Sequence, residues 1–193
     1  YGDHRDLHSP YTTLFRSALG KVLKSIDPLG RVTTNTYDGQ SRLSRKELPE
    51  GNALEYDYDD AACATTDKRC THNLSQVRQI AKPGSGLATL TSSFTYESTF
   101  NKVASATDPR GKVTTYTYTT QGNPLTVTEP ADAGGVQPQT TYGYTAYTAS
   151  GYPSFYLQTS QTRKRTATDS VLSTTAYNTS NKYVPQTVVE DAG

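Results

Sequence analysis

The side chains that are able to do acid–base chemistry are few and scattered along this chain. Asp57, Asp59 and Asp60 lie close together, and Glu190 is followed by Asp191. A glycosidase needs two carboxyl groups across a cleft. Carboxylates grouped on a strand or turn are more commonly solvated, or they bond to nearby backbone amides. We therefore predict no catalytic carboxylate pair.

Nucleophilic catalysis and phosphate binding are equally poorly supported. The chain has 3 histidines, and His72 is the one farthest from the N-terminus. No serine stands in a Gly-x-Ser-x-Gly frame, and the glycine-rich stretch 83–86 lacks the Lys-Ser/Thr of a phosphate loop. The sequence predicts a protein that is not an enzyme and that holds no cofactor.

The two cysteines are the remaining reactive groups. Cys63 and Cys70 enclose a short polar segment that would close as a small disulfide loop in an oxidising compartment. Two free surface thiols are the alternative. A metal site would need further ligands, and only His72 lies near in sequence, so we predict none.

The composition favours β structure with thin cores. Leu, Ile, Val and Phe together make up about one residue in six, whereas Tyr and Thr make up nearly a quarter of the 193 residues. The net charge is +1, so nucleic acid and anionic membrane surfaces are poor partners. No run approaches the roughly 20 apolar residues of a membrane span, and we predict no membrane insertion.

The N-terminal residues differ from the rest of the chain. There is no methionine and residue 1 is Tyr, which predicts that the chain is a piece of a longer protein. Residues 1–17 read like a translated sequencing adapter, or alternatively like a disordered terminus. We predict no function for them.

A repeated turn and strand dominates the remaining sequence. Asp27-Pro28-Leu29-Gly30-Arg31-Val32-Thr33-Thr34-Asn35-Thr36-Tyr37 aligns without gaps to Asp108-Pro109-Arg110-Gly111-Lys112-Val113-Thr114-Thr115-Tyr116-Thr117-Tyr118. Asp, Pro and Gly at the first, second and fourth positions favour a type I turn, and the alternating run that follows predicts a strand. Each copy is therefore predicted to form a β-hairpin with the segment before it.

A second signature begins at the tyrosine that ends a predicted strand. Its frame is Tyr, a short polar residue, two variable residues and then often Gly or Asn. The polar residue is able to cap a turn, and Gly or Asn tolerates a positive φ. We assign structural roles to Tyr37, Asp38, Tyr58, Asp59, Tyr96, Tyr118 and Gly122, and looser copies start at Tyr147 and Tyr177.

Helical patterns are almost absent, whereas turn signals recur throughout. We predict an all-β chain of about ten to fourteen short strands, built as antiparallel hairpin repeats in an elongated, twisted sheet. The predicted organisation is clear hairpin repeats over 18–128, interrupted by the Cys63–Cys70 loop. A loop at 129–139 and degenerate repeats over 140–193 follow.

These two frames resemble the RHS repeat, also called the Tyr-Asp (YD) repeat, of bacterial surface and secreted proteins. The resemblance covers residues 19–128 well and 140–193 loosely. The usual Gly is replaced by Ser41 after Asp38, and the usual Asp by Thr119 after Tyr118.

The resemblance implies an architecture rather than a chemistry. It implies a shell of joined hairpins around a hazardous C-terminal effector domain, used in delivery or intercellular competition. The partners are then further repeats and the effector domain of the same polypeptide, and the location is the cell surface or the exterior. A cell-surface carbohydrate-binding adhesin is the alternative, in which tyrosine rings would stack on sugars.

Overall fold

The computed structural model describes residues 13–59, 72–148, 151, 153–164, 169–178 and 184–192. Within these ranges the chain forms fourteen strands. Their bounds are β1 Thr13–Arg16, β2 Val22–Ile26, β3 Val32–Tyr37, β4 Leu43–Glu47, β5 Ala53–Tyr58, β6 Leu74–Ile80, β7 Leu90–Tyr96, β8 Val103–Thr107, β9 Val113–Tyr118, β10 Pro124–Thr128, β11 Gln139–Tyr147, β12 Phe155–Lys164, β13 Ser170–Asn178 and β14 Val184–Ala192.

The strands follow one another in the sheet in chain order. Every pairing given for them is antiparallel, and the described residues contain no α-helix. The predicted all-β, antiparallel fold is therefore confirmed. Short connections of about five residues favour this arrangement because they return the chain directly onto the neighbouring strand.

The chain divides into two units, residues 1–94 and 95–193. The first unit is a single layer with almost no enclosed core. Ala53, which is 2% exposed, is the one apolar residue of the described chain that is buried. Backbone ladders and contacts between turns must therefore supply much of the order that a core supplies elsewhere.

The two faces of the first unit differ in chemistry. Arg45 and Arg78 both bond to Glu55, with Arg78 Nε lying 3.1 Å from Glu55 Oε2, so opposite charges alternate across β4, β5 and β6. These residues share one face because they stand opposite one another in register. Leu54 and Tyr56 lie on the other face, since successive side chains of a strand point to opposite sides.

The second unit carries threonine on one face and tyrosine on the other. Thr117 stands opposite Thr126, and their hydroxyl oxygens lie 2.6 Å apart. Tyr116 stands on the opposite face, across from Val127. Because the threonine hydroxyls bond across the strands, this face adds side-chain bonds to the backbone ladder.

The structure also differs from the sequence prediction at the N-terminal end. Thr13–Arg16, which the sequence placed in a terminus without structure, forms β1 and pairs with β2. The pairing is made by backbone groups, which the side-chain pattern does not reveal. Residues 129–138 connect β10 to β11, and Glu129 N–H donates to Pro138 O at 2.9 Å. Cys63 and Cys70 lie outside the described residues, so their disulfide remains a prediction.

Candidate functional site: the tyrosine edge

The two signatures seen in the sequence form one and the same kind of turn. In the segment 27–31, Gly30 N–H donates to Asp27 O at 2.9 Å, and Asp27 N–H donates to Arg31 O at 3.0 Å. The segment 38–42 makes the same two bonds, both at 2.9 Å. This pair of bonds also closes the segments 17–21, 48–52, 108–112, 119–123 and 132–136. A single five-residue turn is therefore used repeatedly.

The first residue of the turn caps it from within. Asp38 Oδ1 accepts hydrogen bonds from the amides of Gln40 and Arg42, both at 2.9 Å. Asp27 and Asp108 accept the equivalent amides at 2.8 to 2.9 Å. An Asx-type bond of this kind replaces water around amides that the strand ladder leaves unpaired.

These bonds lower the pKa of the turn aspartates. The Arg31 amide beside Asp27, and the Lys112 amide beside Asp108, hold the pKa of each carboxyl below its ordinary value of 3.8. At Asp38, burial acts to raise the pKa, but the bonds from the Arg42 amide and guanidinium outweigh it and the pKa is lowered. A charged carboxylate is thus the form that fits the folded turn.

We expect the chain to lose stability in acid. Because the carboxyl pKa values are lower in the folded than in the unfolded chain, their stabilisation is complete above about pH 4 and is lost as the pH falls below it. The midpoint temperature of thermal unfolding should fall between pH 6 and pH 2.5. In Asp38→Asn the midpoint should depend less steeply on pH. An unchanged slope in that variant would contradict the assignment.

The fourth turn residue adopts a left-handed conformation. Ser41 has φ 64° where most copies have glycine, and Gly122 has φ 81°. A residue with a Cβ is strained in this region. Ser41 thus marks a copy in which the turn forms although its residue type is unfavourable.

Successive turns lie alternately at the two ends of the strands in each unit. In the first unit the turns 17–21 and 38–42 lie at the same end of the strands. In the second unit the turns 97–102 and 119–123 share one end. In each unit we call this end of the strands the tyrosine edge, because β3, β7 and β9, which lead into three of these four turns, end in tyrosine. The turns 27–31, 48–52 and 108–112 lie at the opposite edge.

Each of three tyrosines bonds back to the preceding turn of the tyrosine edge. Tyr37 donates its hydroxyl to Val22 O at 3.0 Å, Tyr58 to Leu43 O at 2.9 Å, and Tyr118 to Val103 O at 2.7 Å. The acceptor is in each case the first residue after the preceding turn, 15 positions earlier. Burial raises the pKa of Tyr58 and Tyr118, so their hydroxyls stay protonated to a higher pH than that of a free tyrosine.

A cation from the same preceding turn lies over each ring. Lys21 Nζ lies 5.8 Å from the centre of the Tyr37 ring, and Lys102 Nζ lies 5.3 Å from that of Tyr118. The Arg42 guanidinium carbon is closer, at 4.4 Å from the Tyr58 ring centre. Such contacts are attractive because the ring face carries negative potential. We call each combination of turn cation, ring and hydroxyl bond a cation–tyrosine joint.

Arg42 makes the most enclosed of these joints. Its side chain is 7% exposed, and its Nε lies 2.7 Å from Asp38 Oδ2. The guanidinium is thus held between a carboxylate of its own turn and the Tyr58 ring. Arg31 makes the analogous pair with Asp27 at 2.6 Å, but its side chain is 60% exposed. Enclosure, rather than the ion pair alone, distinguishes Arg42.

Neighbouring turns of the tyrosine edge also touch directly in the second unit. A Cβ at Gly122 would lie 3.0 to 3.2 Å from three atoms of the Phe100 ring. The Lys102 ammonium donates to Gly122 O. Gly122 is therefore required both for its positive φ and for the close approach of an aromatic ring.

Replacing Tyr58 with Phe should lower the free energy of unfolding by about 1 kcal/mol, because Leu43 O loses a partly buried donor while the ring stays in place. Chemical denaturation of the purified chain measures the change. Tyr156→Phe is the matched control, because Tyr156 is exposed and its loss of a hydroxyl should be near neutral. Equal effects at both positions would count against the joint.

The other sequence-selected residues occupy turns or strand ends. Asp59 N–H donates to Asn73 O at 3.0 Å across the connection from β5 to β6. Tyr96 ends β7 and precedes a six-residue turn, in which Glu97 accepts amide bonds from Thr99 and Phe100 at 2.8 Å. Pro28, Gly30, Pro109 and Gly111 lie in the turns of the opposite edge. Structural roles for these residues remain proposals.

The sequence analysis did not select the turn cations. Lys21, Arg42 and Lys102 each lie 16 residues before the tyrosine that they cover. This constant spacing of a basic residue and a tyrosine is the signal that would have found them. The spacing connects each tyrosine with the turn before it, whereas the tyrosine motif connects each tyrosine with the turn after it.

The structure describes only some of the carboxylates that the sequence offered for acid–base chemistry. Asp57 pairs with Arg78, and within the described part no group of three or more His, Cys, Asp or Glu side chains is placed to hold a metal ion. The side chains of Glu190 and Asp191 lie outside the described structure. No helix in the described ranges has the length and apolar character to cross a membrane.

A family model matches one part of the chain, and solved structures share its fold. The family model of the RHS repeat matches residues 98–133, which include β8, β9, β10 and the turns between them. No curated protein matches the chain.

Two solved structures have the same fold over most of the chain. A structure of the Photorhabdus luminescens Tc holotoxin pore with a TccC3 mutation has a TM-score of 0.54 at 15% identity, covering 86% of this chain and 10% of its own. The crystal structure of TcdB2-TccC3 has a TM-score of 0.55 at 12% identity, covering 94% and 11%. This chain thus spans about a tenth of the length of those proteins. The resemblance read from the turn and tyrosine motifs is confirmed: the chain carries an RHS repeat at residues 98–133 within an antiparallel sheet that has the fold of these Tc toxin structures.

Proposed function

We propose that this chain is a structural segment of an RHS-repeat shell that encloses a C-terminal toxin or effector of the same polypeptide. The observation that carries the proposal is the sheet itself, in which fourteen strands follow one another in chain order. Such a sheet grows by adding hairpins at its end, which suits a wall better than a compact catalytic domain. The RHS repeat and the fold shared with the Tc toxin structures support this assignment.

The mechanism of enclosure is backbone pairing. Each hairpin covers the exposed edge of the previous strand, so unpaired amides and carbonyls remain only where the sheet ends. The cation–tyrosine joints fasten successive hairpins at one edge. The partners are then further repeats and the effector domain of the same polypeptide, and the location is outside the bacterial cell or on its surface.

Sugar binding is a poorer use of the three tyrosines that form the joints. The rings of Tyr37, Tyr58 and Tyr118 lie beside turn cations, and their hydroxyls donate to backbone carbonyls. A ring used in this way offers less free face and no free donor to a sugar. At these three positions the contacts therefore favour the structural role over the adhesin alternative.

Limited proteolysis of the complete gene product that contains these 193 residues tests enclosure. Thr115→Pro removes an amide in β9, between the paired strands β8 and β10. We expect this variant to expose the C-terminal region to protease at least tenfold faster. Thr120→Pro is the matched control, because Pro28, Pro49 and Pro109 occupy the same turn position in other copies. Rapid cleavage of the unmodified C-terminal region would refute the proposal.

A further inference from the structure

We propose that Asn123 and Tyr144 occupy the two positions of a fourth cation–tyrosine joint, in which the tyrosine ring is present and an amide side chain stands in place of the cation. The inference rests on the structural role proposed above. Its test is a gain of stability at one turn, so its failure would leave the enclosure experiment unaffected.

The three complete joints obey one rule of register. Arg45 of β4 pairs with Glu55 of β5. Three positions from this pair toward the tyrosine edge, the β4 side reaches Arg42 and β5 reaches Tyr58. The same step leads from the pair Lys24 and Thr34 to Lys21 and Tyr37, and from Ser105 and Thr115 to Lys102 and Tyr118. In each case the cation is the last residue of a turn on the tyrosine edge, and the tyrosine lies on the strand that pairs with the strand following that turn.

The same step can be taken from the pairing of β10 with β11. Thr126 is paired with Thr141. Three positions from this pair toward the tyrosine edge lie Asn123, before β10, and Tyr144, on β11. Asn123 is the fifth residue of the turn 119–123. The position that holds a lysine or arginine in the other joints therefore holds an amide, while the tyrosine is retained.

A longer loop conceals this relationship in the sequence. The connection 129–138 has five residues more than the turn at the opposite edge in the other copies. Tyr144 therefore follows Asn123 by 21 residues instead of 16. The register, not the spacing, identifies the pair.

The surroundings of both residues suit the missing contact. Tyr144 is half-buried, and burial raises the pKa of its hydroxyl, as at Tyr58 and Tyr118. Asn123 is half-buried, and its amide donates to Thr119 Oγ1 at 3.1 Å. That bond and the turn-closing bond from Thr119 N–H to Asn123 O at 2.8 Å use backbone groups of Asn123. A different side chain at this position leaves both intact.

The test is to add the cation. Asn123→Lys should raise the folded-to-unfolded ratio about two- to fivefold, the range of an exposed cation–π contact. Chemical denaturation of the 193-residue chain measures the ratio, and hydrogen exchange of the β11 amides reports whether the gain lies at the expected place. Gln121→Lys is the matched control, because it adds the same charge at the exposed tip of the same turn.

A second variant connects the gain with the ring. Asn123→Lys should have no such benefit when Tyr144 is replaced by Leu. The proposal is overturned if Asn123→Lys is no more stable than Gln121→Lys, or if the gain persists without the Tyr144 ring.

Discussion

Replacing Arg42 with Ala is expected to lower the free energy of unfolding by about 2 kcal/mol, making it one of the most damaging single changes on the tyrosine edge. The change removes a guanidinium that bonds to Asp38 Oδ2 at 2.7 Å and stacks on the Tyr58 ring. It also leaves the Asp38 carboxylate without its charged partner. We expect a smaller loss of stability than for a fully buried ion pair, because the Asp38 side chain is 24% exposed.

The chain contains a matched control for this change. Arg31 pairs with Asp27 in a turn of the same kind, but its side chain is 60% exposed. Arg31→Ala should therefore cost less than about 0.5 kcal/mol. Denaturant titration of both variants gives the comparison. If Arg42→Ala and Arg31→Ala lower the free energy of unfolding equally, the enclosure of Arg42 by Tyr58 contributes nothing to stability.

Arg42→Met separates packing from charge. Methionine keeps apolar contact with the ring but cannot bond to Asp38. We expect it to recover less than half of the loss. Full recovery would show that the joint is an apolar contact in which the charge is incidental.

The sequence was sufficient to predict the fold because the turn chemistry is local. Asp27, Pro28 and Gly30 specify their turn without help from the rest of the chain. The alternating run that follows specifies a strand in the same way. In the segments 17–52 and 97–123 the turns follow one another every ten or eleven residues, and antiparallel pairing in chain order there needs no long-range information.

The candidate site was predicted only in part because it joins residues that are distant in sequence. The tyrosines and turn aspartates were selected, but the cations over the rings were not. Lys21, Arg42 and Lys102 sit at the end of one turn and contact the tyrosine that introduces the next turn of the same edge. A search for local motifs separates these partners. They come together only when the register of the two strands between them is known.

The N-terminal strand shows a second limit. Leu14 and Phe15 of β1 are about half exposed, so no buried face marks this strand in the sequence. Its order comes from backbone pairing with β2. A single-layer sheet is able to add a strand in this way, because the unpaired backbone groups of its outer strand bind a further segment even when no side chain is buried.

Gly122→Ala should be the most damaging glycine substitution among the described turns, with an expected loss of about 3 kcal/mol. Part of the loss is backbone strain, since Gly122 has φ 81°. The rest is steric, because the new methyl group would stand 3.0 Å from Cδ1 of the Phe100 ring. The Phe100 backbone is held by the bond from its N–H to Glu97 Oε1 at 2.8 Å, so the clash must be relieved by rotation of the ring.

Gly111→Ala isolates the backbone contribution. Gly111 has φ 76° and a Cβ there would meet no atom within 4 Å, so this variant should lose only about 1 kcal/mol. Thermal or denaturant unfolding of both variants measures the difference. Adding Phe100→Ala to Gly122→Ala should give a combined loss smaller than the sum of the two single losses, because the clash disappears with the ring. Strict additivity would mean that the turns 97–102 and 119–123 do not press on each other, and the contact between successive hairpins would then rest on the cation–tyrosine joint alone.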